Sequence, residues 1–130
     1  RVLSQLKRVI RTNYSNPPTH GAAIVAMVLN SPKLRQMWED ELAEMRERIK
    51  AMRHGLNKKL AAAGAQQDFS FIETQCGMFS YSGLTADQVA NLQEQDGIYA
   101  LSTGRICVAA LNTKNLDRVA QAIARVLVSK

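Results

Sequence analysis

A chain of 130 residues, 46% hydrophobic and 22% charged, has the size of one ordinary globular domain, able to bury about two-thirds of the surface its unfolded form exposes. Its longest apolar run, AAIVAMVL at 22–29, falls well short of the ~18 residues a membrane-spanning helix needs, which excludes that class. The formal charge of +6 and pI of about 9.7 suit a nucleic-acid binder in total but not in pattern: Glu39, Asp40, Glu41, Glu44 and Glu47 interleave with Arg46, Arg48 and Lys50 as on a solvated helix face, and aromatics make up only 5%.

Val2, Leu3, Leu6, Val9 and Ile10 form one stripe over residues 1–10, the spacing of an amphipathic helix. With no initiating Met, apolar signal core or cleavage-like site before it, the chain is expected to begin in mid-fold and to carry no secretory peptide. The turn YSNPP follows. Two consecutive prolines fix the backbone and remove two N–H donors, so Arg11 is expected outside the helix at a rigid corner. Residues 19–29 read as a second helix, apolar nearly all round, of the kind that lies between two layers of protein. In the third, Ser31 is the N-cap and Pro32 the first helical residue. Apolar side chains recur at Leu34, Trp38, Leu42, Met45, Ile49, Met52, Leu56 and Leu60 until Gly64 stops the helix. About 32 residues at 1.5 Å each make roughly 48 Å of helix, long enough to couple two compact parts. Gly55 within it is expected to weaken the interior by ~1 kcal/mol relative to Ala.

From Asp68 the period changes. FSFI at 69–72 and GMFSYSG at 77–83 alternate and are expected to be strands. Thr85 and Gln88 spell a capping box, with Leu84 and Val89 placed as a hydrophobic staple, for a helix running to Gly97. IYAL at 98–101 and ICVAAL at 106–111 are expected to be two more strands around the turn STGR, where Gly104 supplies a backbone angle other residues resist. A closing helix from about Asn112 carries Leu116, Val119, Ala120, Ile123, Val126 and Leu127 on one face. Strand pairs with helices packed on them make an α+β fold.

No nucleophile beside a base, metal-ligand cluster or glycine-rich phosphate loop is evident. Cys76 and Cys107 have no His or Cys at ligand spacing, so they are expected to be packed, reduced thiols, and a cytoplasmic setting is the default. His20 is expected to cap or pack, and His54 to lie on the exposed side of a charged helix. The seven lysines occupy mixed helix faces or the terminus, where nothing would desolvate one into a nucleophile. Arg105 stands out, following Gly104 and preceding the small and apolar residues ICVAA. It reads either as an edge-strand solubiliser or as a planar fork for a carboxylate, held by a stiff strand. Arg11 could play the same part.

The stretches SQLKRVIRTNYSNPPTHGA, GMFSYSGLTADQV and GIYALSTGRICVAALN, with the long helix between them, closely resemble the C-terminal third of bacterial aspartate and aromatic amino acid aminotransferases. These are class I, fold-type-I enzymes that depend on pyridoxal phosphate. The likeness covers essentially the whole chain, and RVLSQLK and GMFSYSGL lean toward the aromatic subgroup. It implies that Arg105, in the G-R-(V/I/M)-x-V-A strand, grips the α-carboxylate of the amino acid. Arg11, before T/A-N-Y-S-N-P-P, would reach across a homodimer interface to the distal carboxylate of a dicarboxylic substrate. Ser15 would lie near that distal group, and Phe79 would line the substrate pocket. The substrates implied are an amino acid and a 2-oxo acid. The lysine, phosphate ligands and ring partners of the cofactor would all lie upstream, leaving this chain without a catalytic, cofactor-binding or metal-binding residue and inactive alone. Residues 1–31 would then close a large cofactor domain, 32–64 form a connecting helix, and 65–130 make a small α+β domain. The readings from other classes are a non-enzymatic interaction module and, least favoured, a basic nucleic-acid binder.

Overall fold

A computed structural model describes residues 1–128. The elements in chain order are α1 (Val2–Tyr14), α2 (His20–Asn30), α3 (Pro32–Ala62), α4 (Phe71–Thr74), β1 (Phe79–Tyr81), α5 (Ala86–Asp96), β2 (Arg105–Cys107), a 3-10 turn (Val108–Ala110) and α6 (Leu116–Val128). The chain divides into two compact units, Arg1–Ala43 and the residues from Glu44 on. The α+β class expected from the sequence is the one observed, although its sheet is smaller than expected.

In the first unit α1 continues past Arg11, against expectation. The steric reach of Pro17 extends back only to the residue before it, Asn16, so residues 11–14 remain free to be helical. The chain turns at Ser15, with φ 48° and ψ −65°, whose N–H donates to Arg11 O at 3.1 Å. Arg11 therefore sits in the last turn of α1, where a cation faces the negative end of the helix dipole. His20 opens α2 exposed, so it does not pack. The stripe of α1 and the apolar residues Ile24, Val25, Met27 and Leu29 of α2 are exposed as well. The start of α3 is as expected, with the Leu34 N–H donating to Ser31 Oγ at 3.4 Å.

The second unit holds the core. Leu56 and Leu60 of α3, Ile72 of α4, Leu92 of α5 and Ile123 and Val126 of α6 are buried together with Phe69 and Val108. α3 ends in a Schellman motif, the Ala65 and Gly64 N–H groups donating to Leu60 O and Ala61 O, both at 3.1 Å. The expected capping box of α5 is present, with Gln88 N to Thr85 Oγ1 at 3.3 Å and Thr85 N to Gln88 Oε1 at 3.0 Å. Gly55 has a use that its helix propensity hides. A Cβ there would lie 2.8 Å from Leu116 Cδ2, so the bare backbone is what admits the first residue of α6 against α3.

Two of the expected strands are not formed. At 69–72 the Asp68 carboxylate accepts both the N–H and the hydroxyl of Ser70, each at 2.8 Å, and this local turn carries the chain into α4. Phe69 and Ile72 are the buried pair there, a helical spacing that the alternation of FSFI disguised. At 98–101 the Ile98 N–H is spent on the end of α5, at Leu92 O. The strand expected over 106–111 ends at Cys107 and becomes the 3-10 turn. What remains is a two-stranded antiparallel sheet, β1 with β2. Cys76, expected to be packed, is exposed because it lies in the open turn before β1, and Cys107 is half-buried.

Arg53, in the middle of the charged stretch of α3, is 3% exposed. Its guanidinium donates to Ile72 O at 3.0 Å, Gly77 O at 2.7 Å, Phe79 O at 3.1 Å and the Ser80 hydroxyl. His54, beside it, points outward to Glu73, which also accepts from Asn57 at 2.6 Å. The Asn57 amide first, and then His54, hold the Glu73 carboxyl below its ordinary value.

Gly64 and Gly104 both have left-handed backbones, φ +83° and +80°, but only at Gly104 would a Cβ meet backbone, Leu84 O at 2.7 Å. Gly64→Ala is therefore expected to cost about 1–2 kcal/mol of conformational strain alone, and Gly104→Ala distinctly more. Urea denaturation of the two variants checks this, and equal losses would contradict the close contact.

Candidate functional site

The β1–β2 ribbon pairs Phe79 with Cys107, Ser80 with Ile106 and Tyr81 with Arg105. Because side chains alternate along a strand, Phe79, Tyr81, Arg105 and Cys107 share one face, and Ser80, 3% exposed, points to the other. The Ser82 N–H donates to Gly104 O at 2.9 Å. By the alternation of an antiparallel ladder, Tyr81 and Arg105 are then a pair without mutual backbone bonds, the kind whose side chains stand closest.

Arg105 is fixed by the turn before it. Gly104 N–H donates to Leu101 O at 2.8 Å, Leu101 N–H donates to Arg105 O at 3.2 Å, and Gly104 O also accepts the Ser82 hydroxyl at 2.7 Å. Its guanidinium carbon lies over the Phe79 ring, 4.9 Å from the centroid, at cation–π distance.

The other arginines of the second unit are engaged. Arg46 pairs with Glu47; Arg48 donates to Ala109 O and Leu111 O, both at 3.0 Å; Arg53 is buried on its four acceptors; Arg118 donates to Asp96 O; Arg125 pairs with Asp96. Among the described residues of this unit, Arg105 is the one arginine with no hydrogen-bond or carboxylate partner. A planar cation, exposed, stacked and unpaired, can take a carboxylate through two parallel bonds.

Of the expected site residues, the structure thus brings Arg105 and Phe79 together. Arg11 and Ser15 adjoin each other at the end of α1 in the first unit. Arg11 is exposed there, as are Arg1 and Arg8, and no contact distinguishes it from them. Ser15 is the one described non-glycine residue with a positive φ, a conformation a β-carbon resists.

Sequence reasoning missed three residues around Arg105. Tyr81 lies directly across from it, as the alternation of GMFSYSG could have indicated. Gln75, whose amide brackets the Tyr81 backbone, and Arg53, which holds Phe79 O, had no local signal. Behind the ribbon, a groove of about 270 Å³ runs between Ile98, Ile106, Leu111, Asn115 and Arg118, and Arg105 does not line it.

Residues 1–123 match the model of the family described as aminotransferase class I and II. The chain belongs to this family. It is 67% identical over 127 residues to the aspartate aminotransferase of Pseudomonas aeruginosa and 50% identical to the aromatic-amino-acid aminotransferase of Escherichia coli, matching 98% of this chain in each case. A solved structure, the aromatic-amino-acid aminotransferase of Burkholderia pseudomallei covalently bound to pyridoxal phosphate, superposes with a TM-score of 0.91 at 73% identity, covering 98% of this chain. The chain spans about a third of the length of these aminotransferases, 32% in each.

The described residues do not fit the aldehyde end of such a cofactor, which requires an amine in a dry pocket. None of the described lysines is buried; Lys50 pairs with Glu47 at 3.0 Å and Lys59 with Asp117. Nor is there a cluster of metal-binding side chains among the described residues.

The stack makes a measurable prediction. A double-mutant cycle of Phe79→Leu and Arg105→Gln, followed by urea denaturation, is expected to give a coupling of about 0.5–1 kcal/mol. A coupling of zero would mean that the ring does not support the guanidinium.

Proposed function

We propose that these residues form part of a pyridoxal-phosphate-dependent aminotransferase that moves an amino group between an aromatic or dicarboxylic amino acid and a 2-oxo acid. The observation that carries the reading is the unpaired guanidinium of Arg105 lying over the Phe79 ring, 4.9 Å from its centroid. Family membership and relatives named for both substrate classes support it.

In this reading Arg105 binds the α-carboxylate that all such substrates share, donating two parallel N–H···O bonds, and Phe79 orients the fork and lines the pocket beside it. Arg11 answers the distal carboxylate of a dicarboxylic substrate in the partner protomer of a homodimer, and Ser15, adjoining it, lies near the same group. The cofactor, held by residues other than those described, supplies the electron sink. Residues 1–31 belong to the large cofactor domain, 32–64 to a connecting helix and 65–130 to the small domain, in a cytoplasmic enzyme. No described helix is long and apolar enough to cross a membrane.

Steady-state kinetics on the full-length protein test the assignment. Arg105→Lys replaces a planar fork by a point charge, so kcat/KM is expected to fall for every amino acid by about tenfold or more, the worth of one charge-assisted hydrogen bond. Arg11→Ala is expected to lower kcat/KM for aspartate and glutamate much more than for phenylalanine and tyrosine. Equal losses for the two classes would contradict its role.

A further inference from the structure

β1 has two edges. One pairs with β2; the other faces no strand among the described residues. An open edge leaves backbone N–H and C=O groups unbonded and does little to hold the strand's register. Here side chains occupy it. The Gln75 amide oxygen accepts the Tyr81 N–H at 2.9 Å, and the same amide donates to Tyr81 O at 3.2 Å. That is the two-bond exchange an opposing strand residue makes. Two residues back, Arg53 donates to Phe79 O at 3.1 Å and, with the same nitrogen, to Gly77 O at 2.7 Å.

Phe79 and Tyr81 are the β1 residues whose main chain points away from β2, and their outward carbonyls are both taken. They are also the residues whose side chains flank Arg105, Tyr81 directly across the ladder and Phe79 beneath the guanidinium. We infer that Gln75 and Arg53 are positioning residues for carboxylate binding. They stand in for a third strand and lock the backbone of Phe79 and Tyr81, and so set the angle at which the Arg105 fork is presented. Neither touches substrate. The inference rests on the reading of Arg105 as the carboxylate clamp.

Gln75 separates positioning from stability. It is partly exposed and lies outside the buried cluster, so its truncation leaves the core packing intact. Steady-state kinetics and thermal melting of the full-length holoenzyme are compared for Gln75→Ala, Gln75→Glu, Arg53→Lys and Arg105→Lys. Gln75→Ala is expected to raise KM for aromatic and dicarboxylic amino acids alike by about three- to tenfold, the loss of roughly one net hydrogen bond, with kcat and the melting midpoint little changed. Gln75→Glu keeps an acceptor for the Tyr81 N–H and is expected to fall between wild type and Ala. Arg53→Lys, which keeps the charge but cannot reach four acceptors, is expected to raise KM and lower the midpoint together. An unchanged KM in Gln75→Ala, while Arg105→Lys raises it, overturns the positioning role and leaves the clamp standing. A rise in KM that merely tracks a lowered midpoint, with Gln75→Glu no better than Ala, makes the residue structural and overturns it too. If Arg105→Lys itself leaves KM unaltered, the clamp fails and the positioning role fails with it.

Discussion

A guanidinium with no carboxylate partner, buried in the second unit, organises everything around the site. Withdrawing such a cation from water costs several kcal/mol, and Arg53 offsets it with four donated bonds, to Ile72 O, Gly77 O, Phe79 O and the Ser80 hydroxyl. Hydrogen bonds from a charged donor contribute about 1.5–3 kcal/mol each, so the burial is favourable only with several of these acceptors in place. The end of α4, the turn at Gly77 and strand β1 must therefore take up their places around one side chain of α3. A three-residue strand in a two-stranded sheet is weakly held by its ladder alone, and Arg53 adds to what β2 and Gln75 provide.

Arg53 and Arg105 are the same side chain put to opposite uses. One is buried, with both terminal nitrogens donating to neutral acceptors, so it fixes backbone. The other is exposed on a ribbon, anchored through its own backbone and the turn closed by Gly104, with its fork resting on a ring. Rigid support behind an unsatisfied cation is the physical requirement for binding a carboxylate with little ordering cost. The ribbon face carrying Phe79, Tyr81 and Arg105 meets that requirement because Arg53 and Gln75 hold its far edge.

Much of the framework was legible in the residues. Ser31 with Pro32, Thr85 with Gln88 and the glycines at 64 and 97 are local signals whose hydrogen bonds close within a few residues, and the structure contains each of them. The structure departs from the pattern for local reasons. Asp68 bonding Ser70 makes FSFI lead into a helix rather than a strand, and the YSNPP prolines restrict the chain only back to Asn16, which keeps Arg11 in α1. Arg105 stands out in the sequence because Gly104 and ICVAA make a conspicuous setting. Arg53 does not: on a helix alternating Glu, Arg and Lys it is indistinguishable from a solvated charge, and its acceptors lie 19–27 residues away. Gln75 was missed for a related reason, since a side chain imitating a strand leaves no periodic trace.

In the proposed function, the stacked, unpaired guanidinium of Arg105 is the carboxylate clamp of an aminotransferase. A crystal structure of the full-length protein with an amino acid bound tests this most directly. Two nitrogens of Arg105 are expected within hydrogen-bond distance of the two α-carboxylate oxygens, with the guanidinium still over the Phe79 ring. A bound amino acid whose carboxylate is held elsewhere, with Arg105 turned to solvent, would contradict it.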